Sequence, residues 1–304
     1  MTAPLVFPLP GNEHLAADVG RHLDAEAGAA TVRRFPDGES YVRLHTPVGG
    51  RDVLVAATLH RPDEQFLPLV FMAEAARELG ARRVLLLAPY LAYMRQDRRF
   101  HPGEAVSSRY FARLVSQSFD ALVTVDPHLH RYPSLDAVYG IPTRIVPAAP
   151  RVADWIAKSI DKPLLVGPDG ESEQWVNAVA DLAKAPHVVL TKVRRGDRDV
   201  EVSVPDVDRW RDHTPVLVDD IISTGRTMIE TVGHLRRAGL APPVCVGVHG
   251  VFADAAVDAL LSAGAERVVI SNTIPRPTAV IDLCASLACA IEELLDELSK
   301  GAGR

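Results

Sequence analysis

Cysteine is scarce: Cys245, Cys284 and Cys289 are the three cysteines in 304 residues. They have no C-x-x-C spacing and no even count, which reads as a reduced, cytoplasmic setting with the thiols used for packing. Long apolar runs are missing too. None approaches the ~20 residues a membrane helix needs, so no membrane partner is expected. The start, MTAPLVFPLPGNEH, lacks a basic n-region and carries early prolines, and does not read as a signal peptide. Positive charge is not in excess: the net charge of −6 argues against a nucleic-acid binder. A polyanionic ligand therefore has to be met by local basic clusters. There is no G-x-x-x-x-G-K-[ST], so a phosphate site here is not a Walker A loop. What remains, 47% hydrophobic and 24% charged, is ordinary for a soluble globular chain, and the length suggests roughly two domains.

Apolar runs at 5–9, 52–58, 83–90, 121–126, 163–169, 187–193, 215–220, 243–249 and 267–273 predict strands. They are near-continuous rather than alternating, as in strands buried on both faces of a parallel sheet. Helical patterns fill the gaps, at 66–80, 227–239 and 255–264, ending in Gly80, Gly239 and Gly264, which suit left-handed helix ends. RELGARRVLLLAPY (77–90) and LLSAGAERVVISNT (260–273) share a helix–glycine–strand pattern, one in each half. The expected fold is α/β, with two similar lobes, each a mainly parallel sheet flanked by helices. The stretch 145–151 is the expected junction. It divides an N-terminal lobe, 1–146, from a C-terminal lobe, 147–282, with an amphipathic helix at about 283–300 that packs against a lobe. Arg82 and Arg83 are expected to be solvated.

Open parallel sheets bind ligands beyond the carboxyl ends of their strands. Those ends here are polar and charged: RQDRRFHPGE (95–104), DPHLHR (126–131), PDGESE (168–173), TKVRRGDR (191–198) and DDIISTGRT (219–227). The last is the most informative. Adjacent carboxylates at the end of a buried strand repel each other and lose hydration, so a site should need their charge. Ser223, Thr224, Gly225 and Thr227 then open a helix, whose N-terminal amides and dipole suit a phosphate monoester. Asp219 and Asp220 would accept hydrogen bonds from hydroxyls beside that phosphate, such as sugar cis-hydroxyls, or hold a divalent cation. A lone Asp-Asp pair would be read as a helix cap or a surface salt bridge. The flanking VLV and STGRT reverse that preference.

VLVDDIISTGRT resembles the ribose-5-phosphate loop shared by phosphoribosyltransferases and phosphoribosyl pyrophosphate synthetases. Further stretches choose the synthetases. RRFPDGESYVRL (33–44) resembles their adenine-binding segment and YMRQDRRFHPGE (93–104) their ATP loop. TVDPHLH (124–130) resembles their metal-binding strand end and LLVGPDGESEQW (164–175) their pyrophosphate loop. The likeness spans about 5 to 298, in order. It implies transfer of a diphosphoryl group from Mg-ATP to the anomeric hydroxyl of ribose 5-phosphate, with Mg2+ as cofactor. It implies that Asp219 and Asp220 hold ribose hydroxyls, and that Ser223, Thr224, Gly225 and Thr227 hold the phosphate. Phe35 would stack on adenine while Asp37 and Glu39 read its edge, and Arg95, Gln96 and Asp97 would contact the nucleotide. His128 and Asp169 would be metal-linked, and Lys192 and Arg194 would match the K-x-R of a catalytic loop. A homo-oligomer is implied, because the family's adenine segment reaches a neighbouring subunit's site.

Taken singly, several of these residues have plainer readings. Phe35 reads as core, Pro-Asp-Gly as a turn, RQDRR as a solvated loop and Lys192 as a strand-edge lysine. His128 and His130 are weak grounds for zinc, with no cysteine or third histidine nearby in sequence. The chain departs from the family's usual pattern at Pro127, at Gly170-Glu171-Ser172-Glu173 in place of paired glycines, at Arg226, and in the short segment after Lys192. The competing functions are a non-catalytic regulatory homologue that binds nucleotide, and a phosphoribosyltransferase. Retention of Lys192, Arg194, His128 and Asp169 argues against the first. The second has no use for FPDGE or RQD.

Overall fold

The computed structural model describes residues 3–129, 131–168, 172–194, 200–203, 207–253 and 255–301. Packing divides the chain into two compact units, Met1–Val146 with Leu283–Arg304, and Pro147–Asp282. In chain order the first unit holds β1 (Leu5–Pro8), α1 (Glu13–His22), β2 (Glu26–Ala27), β3 (Ala30–Arg34), β4 (Ser40–Leu44), β5 (Asp52–Ala56), α2 (Pro62–Glu78), β6 (Arg83–Ala88), α3 (Ser107–Ser118), β7 (Ala121–Val125) and β8 (Thr143–Val146). Its sheet has the order β2-β1-β5-β6-β7-β8, every neighbour parallel. The apolar runs are buried along their whole length in β5 and β7 because helices cover both faces. Phe7, Leu69, Met72 and Leu86 lie fully buried in this core. Removing such a side chain from water contributes about 1.5–3 kcal/mol.

The second unit holds α4 (Ala149–Ser159), β9 (Pro163–Gly167), α5 (Glu173–Ala183), β10 (His187–Val189), β11 (Thr191–Arg194), β12 (Val200–Ser203), β13 (Thr214–Ile222), α6 (Arg226–Arg237), β14 (Val244–Gly250), α7 (Ala256–Ser262), β15 (Arg267–Ser271) and β16 (Ala279–Ile281). Its parallel sheet has the order β10-β9-β13-β14-β15-β16. The final helix, α8 (Cys284–Gly301), returns to the first unit and packs on α1, β7 and β8.

The lobes share one topology. In each, the second core strand lies outside the first, the third to sixth follow on the other side, and a β-hairpin interrupts the chain between the second and third. The hairpins are β3–β4 and β11–β12. Both sheets therefore reverse direction between their first and third strands in sequence, β1/β5 in one and β9/β13 in the other. The repeat seen in the sequence does not mark this equivalence. Residues 77–90 end in β6, the fourth strand of its sheet order, while 260–273 end in β15, the fifth. The shared pattern is a generic helix exit. Gly80, Gly239 and Gly264 do take left-handed φ values of 87°, 80° and 104°.

Three local expectations need correction. The 187–193 run is two strands: β10 stays parallel to β9, and beyond Leu190 the chain leaves to pair antiparallel with β12. A continuous apolar run carries no signal of a change of partner. Arg82 and Arg83 are not simply solvated: Arg83 donates from Nε to Asp52 Oδ1 at 2.8 Å and from Nη2 to Oδ2 at 2.7 Å, and Arg82 Nε donates to Oδ1 at 2.9 Å. Cys245 and Cys284 are core residues, and burial pushes the Cys245 thiol up to about 12, but Cys289 is exposed on α8.

Candidate active site

In the second lobe, β13 runs two residues further than the apolar pattern, so Asp219 and Asp220 lie inside it. Asp219 sits opposite Gly247 of β14, and both acids are half-buried. Asp220 N–H donates to Asp219 Oδ1 at 3.0 Å. The strand ends at Ile222, and Ser223 and Thr224 form a bend. Gly225, at φ 69°, is the N-cap of α6. Only glycine enters that left-handed region without a Cβ clash. α6 has no side-chain cap, so its first amides face the Ser223–Gly225 bend. The loop follows the strand at the sheet's direction reversal, where α/β sheets bind ligands. The neighbouring strand β9 ends at Gly167, just before the PDGESE stretch. Asp169, with Gly170 and Glu171, lies outside the described residues.

Lys192 and Arg194 are on β11, opposite Val202 and Val200 of β12. The backbone thus places both on one strand of the second lobe's hairpin.

In the first lobe, Phe35, Asp37 and Glu39 form the tip of the β3–β4 hairpin. The tip is a genuine turn: Phe35 N–H donates to Glu39 O at 2.8 Å, Gly38 N–H to Phe35 O at 2.9 Å, and Glu39 N–H to Asp37 Oδ1 at 3.1 Å. The turn and the binding readings of FPDGE are therefore compatible. Phe35 is not core; it is 38% exposed. Arg33, which sequence reasoning missed, lies 4.5 Å from the Phe35 centroid and 4.4 Å from that of Tyr41. The guanidinium lies over both rings, an attractive cation–π arrangement.

β6 and β7 are neighbours, and the segments after them meet. Arg95 is exposed and Gln96 half-buried, but Asp97 is only 4% exposed. Arg131 Nη1 donates to Asp97 Oδ1 at 2.9 Å and to Oδ2 at 3.1 Å, and Tyr132 Oη donates to the Asp97 carbonyl at 3.1 Å. Asp97 thus joins the RQD loop to the DPHLHR segment instead of presenting its carboxylate to solvent. His128, half-buried, lies on that segment two residues beyond Asp126, which has a left-handed φ of 28°. Glu104, also missed, organises the loop. Its Oε2 accepts from Phe100 N–H at 2.7 Å and His101 N–H at 2.9 Å, and the bonds from His101 and Phe100 hold its carboxyl below the usual range. Tyr93 has a φ of 62° and donates to Asp63. Burial and that partner push its phenol up to about 12. Among the described residues, no three His, Cys, Asp or Glu side chains gather into a metal cluster.

The first lobe's own direction reversal carries a cavity of about 400 Å³, lined by Gly11, Arg33, Arg34, His60, Arg61 and Gln65 among others. It touches none of the candidate residues. Two of its arginines are engaged, Arg33 by the rings and Arg34 by the Glu64 carbonyl at 3.4 Å.

A family model for the N-terminal domain of ribose phosphate pyrophosphokinase matches residues 5–118, and one for the phosphoribosyl transferase domain matches 143–281. A ribose-phosphate pyrophosphokinase of Methanopyrus kandleri is 34% identical over 282 residues, 92% of this chain and 96% of its own. One of Methanothermobacter thermautotrophicus is 33% identical over 290 residues, 95% of this chain and 100% of its own. The crystal structure of phosphoribosylpyrophosphate synthetase from Mycobacterium smegmatis matches with a TM-score of 0.85 at 27% identity, covering 97% of this chain and 100% of that one. A phosphoribosyltransferase would account for the second match alone. With both domain matches in order and relatives aligned over nearly their whole length, the chain belongs to the ribose-phosphate pyrophosphokinase family.

Proposed function

We propose that this enzyme moves the diphosphoryl group of Mg-ATP to the anomeric hydroxyl of ribose 5-phosphate, giving phosphoribosyl pyrophosphate and AMP. The observation that carries this reading is the acidic end of β13 running through Ser223–Gly225 into the uncapped first turn of α6, at the second lobe's direction reversal. It pairs an anion site with carboxylate acceptors a few residues away, as a pentose phosphate requires.

In this reading Asp219 and Asp220 accept hydrogen bonds from the ribose hydroxyls, and Ser223, Thr224, Gly225 and Thr227 hold the 5-phosphate. Phe35 stacks on adenine from a neighbouring subunit, with Asp37 and Glu39 at its edge. Arg95 and Gln96 contact the nucleotide, and Asp97 acts through Arg131. In-line phosphoryl transfer needs positioning and charge stabilisation rather than a protein nucleophile. Lys192 and Arg194 close over the β-phosphate and offset its growing charge. A Mg2+ would be carried mainly by substrate phosphates and water, with His128 and Asp169 as its protein contacts. When bound, the ion neutralises phosphate charge. The reading includes a cytoplasmic homo-oligomer with a shared site and no nucleic-acid or membrane partner. Among the described residues, no helix is long and apolar enough to cross a membrane.

The test is AMP release from ATP and Mg2+, with and without ribose 5-phosphate. AMP that depends on the sugar and matches phosphoribosyl pyrophosphate one to one is expected. A folded protein that binds ATP and releases no AMP would sink the reading and leave a regulatory homologue.

A further inference from the structure

We propose that His249 and Thr273 are positioning residues for the pentose-phosphate loop; this rests on the function assigned above to residues 219–227. His249 sits at the carboxyl end of β14, the strand beside β13, and Thr273 just past the end of β15, the next strand out. His249, Ser271 and Thr273 are at most 1% exposed. Three polar side chains buried together in an apolar sheet are costly unless every group is satisfied. Here they satisfy one another. Ser271 Oγ donates to the Val248 carbonyl at 2.6 Å, and Thr273 Oγ1 lies 3.1 Å from the same carbonyl. His249 Nδ1 lies 2.9 Å from Thr273 Oγ1. Ser271 Oγ also lies 3.1 Å from Thr273 Oγ1, so the two hydroxyls, the ring nitrogen and the carbonyl form one connected network.

This network fixes the point where β14 ends, and the next residues reach the loop. A Cβ on Gly250 would lie 2.3 Å from Ile270 Cδ1 and 2.7 Å from Phe252 Cε2, so any side chain there would have to displace both of theirs. Val251 N–H turns back to the His249 carbonyl at 3.1 Å. Phe252 then takes a φ of 42°, a strained value for a bulky residue that persists only where surroundings enforce it. That turn aims two amides at the loop: Phe252 N–H donates to Ile222 O at 3.0 Å and Ala253 N–H to Ser223 O at 3.1 Å. Ile222 and Ser223 lie between the acidic pair and the Gly225 cap. The buried network therefore anchors the strap, 250–253, that holds the phosphate-facing bend in place, as a preorganised site needs.

The experiment compares Thr273→Val with Thr273→Ser, and His249→Leu with His249→Asn, whose amide can replace Nδ1 as hydrogen-bond partner of Thr273. Steady-state kinetics, calorimetric binding of ribose 5-phosphate and melting temperature are measured for each. Thr273→Val and His249→Leu should raise the KM and Kd for ribose 5-phosphate about tenfold, the usual effect of one buried hydrogen bond, with kcat and the ATP KM within about twofold. Thr273→Ser and His249→Asn should recover most of that loss. Lower melting temperature with unchanged ribose 5-phosphate affinity would show a merely structural role and overturn the proposal, as would equal losses for both substrates. If Thr273→Val does not fold, the His249 pair decides. A wild type that makes no AMP, yet loses ribose 5-phosphate affinity on Thr273→Val, keeps the proposal and removes the reaction. A wild type that binds no ribose 5-phosphate overturns both.

Discussion

Asp97 and Arg95 stand two residues apart in one charged loop, yet Arg95 is exposed and Asp97 is buried against Arg131. The sequence supplies the charges; their partners depend on which strand ends are neighbours. Arg131 follows β7 and Asp97 follows β6, so their pairing needs the sheet order. Arg33 was missed for a similar reason. Its contact with Tyr41 exists only across the β3–β4 register, in which Arg33 faces Tyr41. The acidic pair and its glycine cap, by contrast, were legible because a helix N-terminus is a local feature. The residue on which the proposed chemistry most depends is Lys192. Lys192→Ala should lower kcat by roughly 10²–10³-fold, the cost of removing one preorganised donor to a developing oxyanion, with little change in melting temperature. An unchanged kcat would remove Lys192 from that role.

At the scale of elements, the inner strands of both sheets were legible because strands covered on both faces read as unbroken apolar runs, whereas the short edge strands β2, β8 and β16 carry no such run. The hairpin strands β3 and β4 were not, since their residues are half-buried or exposed and carry arginines. The stability of β5 against β6 rests partly on Asp52 with Arg83 and Arg82. Burial raises the Asp52 pKa, but the hydrogen bonds and charges of the two arginines outweigh it and hold the carboxyl below its ordinary value. A carboxyl with a depressed folded pKa adds stability above its unfolded pKa, near 3.9, and loses it as pH falls through the folded value. Asp52→Asn should therefore cost about 2–3 kcal/mol at pH 7, with Arg83 left partly buried and less compensated. The gap between the urea midpoints of variant and wild type should narrow as pH falls below about 3.9 toward the depressed folded value. A gap of constant size would mean the acid contributes through shape and not through charge.

For the whole molecule, the proposed sharing of a site between subunits makes a direct prediction. Phe35→Ala and Lys192→Ala should each be nearly inactive alone. Dissociated, mixed and reassembled one to one, they should recover roughly a quarter of wild-type activity, because random pairing in a symmetric oligomer leaves that share of sites with both side chains. No recovery from a properly mixed assembly would place both residues in one subunit's own site. The first lobe is also the discontinuous one: the chain leaves it at Val146 and returns at Leu283, so that α8 can pack on α1 and accept Arg83 at the Leu295 carbonyl and Ser299 hydroxyl. On the ribosome this inverts the order of completion. The second lobe is whole once residue 282 has emerged, while the lobe made first must wait, with the surface meant for α8 uncovered, until residues 284–301 have emerged as well. A nascent chain stalled between the two stages would offer that surface, and not the second lobe, to chaperones.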